Sequence, residues 1–124
     1  MSEFIIPQNA GLQDYRRLLA QAENEITKLV PRISQYKIDR TNARAAYDDA
    51  LSSAKVLAMT EHGLKANHQT MINAIANTDS NVKALKEDWI VKKAIEIKAL
   101  DRLGQLQGMR DSLKAMVKSE NYSY

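Results

Sequence analysis

Residues 12–57 read LQDYRRLLAQAENEITKLVPRISQYKIDRTNARAAYDDALSSAKVL. Leu12, Tyr15, Leu19, Ala22, Ile26, Leu29, Ile33 and Tyr36, and then Arg40, Ala43, Tyr47, Ala50, Ala54 and Leu57, follow one another in alternating steps of three and four. That spacing keeps one face of a helix turned toward a partner helix, as in a left-handed coiled coil. Arg40 is the single charged member of the run. Leu18, Val30, Ile38, Leu51 and Val56 flank the seam and widen the apolar stripe, which points to packing against more than one neighbour. Pro31 interrupts a helix hydrogen bond without shifting the phase, so the pattern predicts one long helix kinked there.

On the amino-terminal side of this helix, residues 1–9 contain Pro7, lack periodicity and read as an extended arm, with Asn9 placed to cap the helix. The long helix is expected over residues 10–62, about 75 Å at the usual rise, with Gly63 as its stop. Leu64, His68, Met71, Ile72 and Ile75 suit a short helix over 64–77. Asn77-Thr78-Asp79-Ser80-Asn81 is a run of turn-forming and helix-capping residues. A second long helix is expected over 80–118, in which Val82, Leu85, Trp89, Ile90, Ile95, Ile97, Leu100, Leu103, Leu106 and Leu113 cover more than one face. Residues 119–124 read as a frayed tail. The simplest arrangement is all-α: a long antiparallel helical hairpin in a single domain, two long helices plus a short middle one. Its extra apolar width predicts a homo-oligomer, with Leu19, Ile26, Leu29, Ile33 and Tyr36 in the oligomer seam.

Composition agrees with this reading. The chain of 124 residues has four Gly, two Pro and seven aromatic residues, and is rich in residues that lose little entropy in a helix. The absence of cysteine excludes disulfides and thiolate metal sites. No segment resembles a secretory signal or approaches the roughly 20 apolar residues of a membrane span, so a soluble cytoplasmic protein is expected, in the host cytoplasm if viral. The formal charge of +3 is uneven: residues 1–62 hold eight basic and eight acidic side chains, residues 63–124 ten and seven.

Candidate chemistry is sparse. His62 and His68 are the only histidines and do not make up a metal-ligand set. The adjacent acids Asp48-Asp49 and Glu87-Asp88 point about 100° apart on a helix and do not converge on one reacting atom. Gly104 and Gly108 lack the Lys-Ser/Thr that ends a phosphate-binding loop, and read as close helix packing or local flexibility. No enzyme, metal, cofactor or small-molecule substrate is expected. The one suggestive cluster is Lys83, Lys86, Trp89, Lys92, Lys93, Lys98 and Arg102, since cations that neutralise phosphates and a ring that stacks on bases are the ingredients of single-strand binding. Glu87, Asp88, Glu96 and Asp101 interleave with them, and Trp89 also has the spacing of a core residue.

The run Tyr36-Lys37, Arg40, Ala43, Ala46-Tyr47-Asp48, Lys55 and Gly63, with a polar break and a second Lys-rich helix after it, resembles the UvsY-like recombination mediators of T-even and related phages. It also looks like the small helical accessory proteins of phage recombination. The resemblance spans about residues 30–118, is one of pattern, and implies oligomeric helical subunits that bind single-stranded DNA and help load a recombinase. Two functions are therefore open: an accessory protein of DNA recombination or replication, contacting single-stranded DNA or a recombinase, and a protein-interaction module such as an inhibitor, adaptor or structural coiled coil. Basic residues aligned on one exposed face favour the first; mixed charges beside an exposed apolar face favour the second.

Overall fold

In a computed structural model, which describes Ile6 and residues 11–121, three helices form: α1 (Leu12–His62), α2 (Gln69–Ala76) and α3 (Ser80–Asn121). There is no strand among the described residues, and the two long helices pack against each other as an all-α hairpin. Apart from Ile6, the expected arm over residues 1–9, including the cap at Asn9, lies outside the described residues. So do residues 122–124 of the tail. Residues 119–121 do not fray; they continue α3.

Each helix boundary has a local cause. At the start of α1 the Gly11 N–H donates to the Asp14 carboxylate at 3.2 Å, so the acid satisfies a free donor while sitting at the positive end of the helix. Gly63 ends α1 with φ +63°, and the Leu64 N–H donates to the Met59 carbonyl at 3.0 Å, the closing bond of a left-handed glycine cap. The short helix occupies only residues 69–76 rather than 64–77. Residues 65–68 form a tight turn instead, in which the Lys65 N–H donates to Nδ1 of His68 and the His68 N–H to the Lys65 carbonyl. Asp79 caps α3, its carboxylate accepting the Val82 N–H at 3.0 Å.

Helix α1 runs through Pro31 without a break. Pro31 and Thr27, whose carbonyl loses its helical donor to the proline ring, are both exposed, so that carbonyl can turn to water. Along α1 the buried stripe begins at Leu18 and ends at Ala58, while Leu19 is half-buried and Leu57 is 52% exposed. The expected seam is thus displaced by one residue at each end. A straight helix drifts about 20° per heptad against a strict seven-residue repeat, which over the 51 residues of α1 amounts to roughly 140°, or a little under one residue at each end relative to the middle.

Residue contacts group the chain into two compact units, residues 1–34 with 98–124, and residues 35–97. In the first, Leu18 and Ala22 of α1 close on Leu113 of α3, with Tyr15, Leu19, Met109 and Met116 packed around them. Ala22 has no exposed surface, so the backbones approach closely there. Glu25 and Arg102 join the helices by a half-buried ion pair at 3.2 Å. In the second unit Ala43, Tyr47 and Ala58 of α1, Ile72 and Ala76 of α2 and Val82 of α3 are buried. Because Ala43, Ala50 and Ala54 make much of the seam here small, α2 supplies the bulk that α1 lacks at its carboxy-terminal end.

Candidate functional site

Two rungs cross the second unit. Arg40 of α1 bonds Glu96 of α3, and seven residues further along α1, seven back along α3, the Tyr47 and Trp89 rings stack with centroids 5.9 Å apart and planes 9° from parallel. Seven residues is about two helical turns, so an antiparallel pair repeats its contacts at that interval. Helix periodicity thus places the ion pair and the ring pair on one side of each helix.

Cations gather round the rings. The Arg44 guanidinium carbon lies 4.3 Å from the Trp89 ring centroid and 5.6 Å from that of Tyr47, and the Lys93 ammonium lies 5.4 Å from Trp89. These are cation–π distances. The Asp48 carboxylate, one turn along α1 from Arg44, holds that guanidinium at 3.1 Å. Trp89 is half-buried, and a nucleobase could stack on it only by displacing one of these groups. Arg44 was not legible as a member of this cluster; the available signal is its position three residues before Tyr47, the neighbour distance on a helix.

The seven residues read as a nucleic-acid set do not share one face. Lys83, Lys86 and Lys93 are exposed and lie within about 80° of one another round α3. Lys98 is exposed about 140° from Lys93, and Arg102 lies on the side opposite Lys93, where it pairs with Glu25. Lys92 is half-buried, 3.6 Å from Asp88 one turn before it. The seam residues Leu19, Ile26, Leu29, Ile33 and Tyr36 are all half-buried within the single chain.

Large apolar side chains are also exposed at several positions round α3. Ile90, Val91, Ile95, Ile97 and Leu100 keep 41–54% of their surface. Ile90 and Ile97 are two turns apart on the side facing away from the inward row of buried Ala99 and half-buried Leu85, Trp89 and Leu103. On α1, Val56 and Leu57 line an open furrow with Ser52, Ser53 and Thr60; because every lining residue comes from one helix, it is a surface groove rather than an enclosed cleft.

Among the described residues, no group of three or more His, Cys, Asp or Glu side chains could hold a metal ion. His62 stands in the last turn of α1, and Nδ1 of His68 is engaged in its own turn. Among the described residues, no helix is long and apolar enough to cross a membrane. No protein family, no curated protein and no solved structure matches the chain.

Proposed function

We propose that this chain is a non-enzymatic helical interaction module, acting in the cytoplasm, that engages another protein through the outward side of α3. One observation carries the reading: Ile90 and Ile97, two turns apart on one side of α3, stand half in solvent, and Val91 and Ile95 are exposed further round the same helix. A lone exposed aliphatic residue is ordinary, but several on one stretch of helix, two of them repeated on one side, mark a binding surface. Mixed charges flank Ile90 and Ile97, Lys86 and Lys93 on one side and Glu87 on the other, where it separates them from Val91 and Ile95. The partner it fits is an amphipathic helix with an apolar stripe and charges of both signs.

A second reading, the accessory role in phage DNA recombination implied by the resemblance to UvsY-like mediators, is favoured by the shared side of Lys83, Lys86 and Lys93. In that reading the chain contacts single-stranded DNA or a recombinase. A single-stranded DNA titration at low and high salt separates the two. The interaction-module reading predicts no tight binding at low salt. Tight binding that weakens steeply as salt rises, and that is abolished by Lys83→Glu, Lys86→Glu and Lys93→Glu together, would overturn it in favour of the DNA reading.

A further inference from the structure

We infer that the groove between the carboxy-terminal part of α1 and the corner joining α2 to α3 takes a lysine- or arginine-bearing amphipathic helix of a partner protein. Every residue concerned lies in the second unit, residues 35–97. Two clefts of about 260 and 330 Å³ adjoin there and share Ala54, Leu57 and Asp79, so they form one groove. Its lining is apolar at the centre. Leu57, at the junction of the two clefts, is 52% exposed, and half-buried Ile75 of α2 stands on the facing wall. The groove is separate from the outward side of α3, because Asn81, the α3 residue that lines it, lies about 180° round that helix from Ile90.

Charge selects the occupant. Asp49 lines one cleft, Glu61 the other and Asp79 both, while no Lys or Arg lines either; the remaining titratable group is His62. All three acids are exposed, and among the described residues neither Asp49 nor Glu61 has an ion-pair partner. One Asp79 oxygen accepts the Val82 N–H at 3.0 Å, which fixes that carboxylate at the groove. The whole chain carries a formal charge of +3, so the acidity is local. A lysine or arginine side chain matches both parts of the groove, since its aliphatic stem lies on apolar surface while its charged head reaches an acid. Nucleic acid and anionic lipid are repelled by the same carboxylates. Asp49 and Glu61 are twelve residues apart on α1, about 18 Å, a little over three helical turns. A helix laid along that length sets a cation near each end and an apolar side chain against Leu57 between them. The small side chains of Ala50, Ser53 and Ala54 let its backbone come close.

A fluorescent synthetic peptide that forms an amphipathic helix, with Lys flanking a Leu stripe, tests this on the full-length protein; a control peptide carries Glu in place of each Lys. The Lys peptide should bind at least about tenfold more tightly than the control, and its affinity should fall several-fold as salt rises. Asp49→Asn with Glu61→Gln should weaken it by about tenfold without changing the circular dichroism spectrum, because both acids are exposed. Asp79 is left intact because it caps α3. Leu57→Ser, which changes no charge, should also weaken binding several-fold, and so separates a seated peptide from a general attraction of cations. Ile90→Ser with Ile97→Ser should bind the Lys peptide as wild type does. A Lys peptide that binds no better than the control, or unchanged affinity in either groove variant, would overturn the proposal. Loss of binding confined to the Ile90 and Ile97 variant would also overturn it, while leaving the α3 surface standing.

Discussion

Arg40 and Glu96 form an ion pair across the two long helices, and it fills the one charged step in the apolar row of α1. The side chains keep 31% and 13% of their surface. Removing one partner leaves the other partly desolvated and unpaired, so Arg40→Leu should destabilise the fold by about 2 kcal/mol. Arg40→Leu with Glu96→Leu together should recover most of that loss, because two apolar side chains suit a half-buried seam. Urea melts of the two single variants and the double variant test this, and a double variant no more stable than the worse single one would contradict it.

Trp89 is the chain's only tryptophan, which makes its fluorescence a direct report on the ring cluster. Trp89→Ala should lower stability by about 3 kcal/mol, at the low end for an aromatic core residue because the ring is half-buried. Arg44→Gln should cost under about 1 kcal/mol, since Arg44 is exposed, yet it should change the emission of Trp89, from which the guanidinium is 4.3 Å distant. Emission unchanged in Arg44→Gln would place the guanidinium elsewhere.

The glycines should respond to alanine with opposite signs. Gly63 sits at φ +63° with nothing within 4 Å of an added Cβ, so Gly63→Ala should cost about 1 kcal/mol from backbone strain alone. Gly104 and Gly108 are helical, and an added Cβ likewise meets nothing within 4 Å. Close packing within the chain is therefore not their role, and Gly104→Ala and Gly108→Ala should each stabilise by roughly 0.5–1 kcal/mol. Thermal melts of the three variants give the signs.

Ala22, without exposed surface beside Leu18 and Leu113, should reject volume. Ala22→Leu should cost about 1–3 kcal/mol by overpacking, and Leu113→Ala about 2–5 kcal/mol by leaving a cavity. Ile33→Asp, at a half-buried seam position, should lower the melting temperature markedly. An unchanged melt in Ile33→Asp would show that this part of the seam packs against nothing.

The long helix, the polar break and the hairpin were legible in sequence because periodicity and capping act locally: the three-four spacing, Gly63 and Asp79 each do their work within a turn or two of themselves. The row that α3 turns toward α1 was harder to see. Charged Lys92 and Glu96 interrupt it, and only the pairings Lys92 with Asp88 and Glu96 with Arg40 show why charge is tolerated there. Meanwhile Ile90 and Ile97 enrich the opposite side, so an apolar count could not tell core from surface. The same ambiguity hid the surroundings of Trp89, whose neighbours Tyr47 and Arg44 are distant in sequence. A basic cluster read along the chain was likewise dispersed round the helix, which spacing predicts only once the inward side is fixed.

The outward side of α3 as a binding surface is tested most directly by apolar-dye fluorescence on dilute, monomeric protein, comparing wild type with the variant carrying Ile90→Asp and Ile97→Asp. Exposed positions tolerate such changes, so both proteins should share one far-ultraviolet circular dichroism spectrum. The account predicts strong dye enhancement in wild type and a several-fold smaller one in the variant. Equal enhancement in the two proteins, or a variant that loses its helicity, would contradict it.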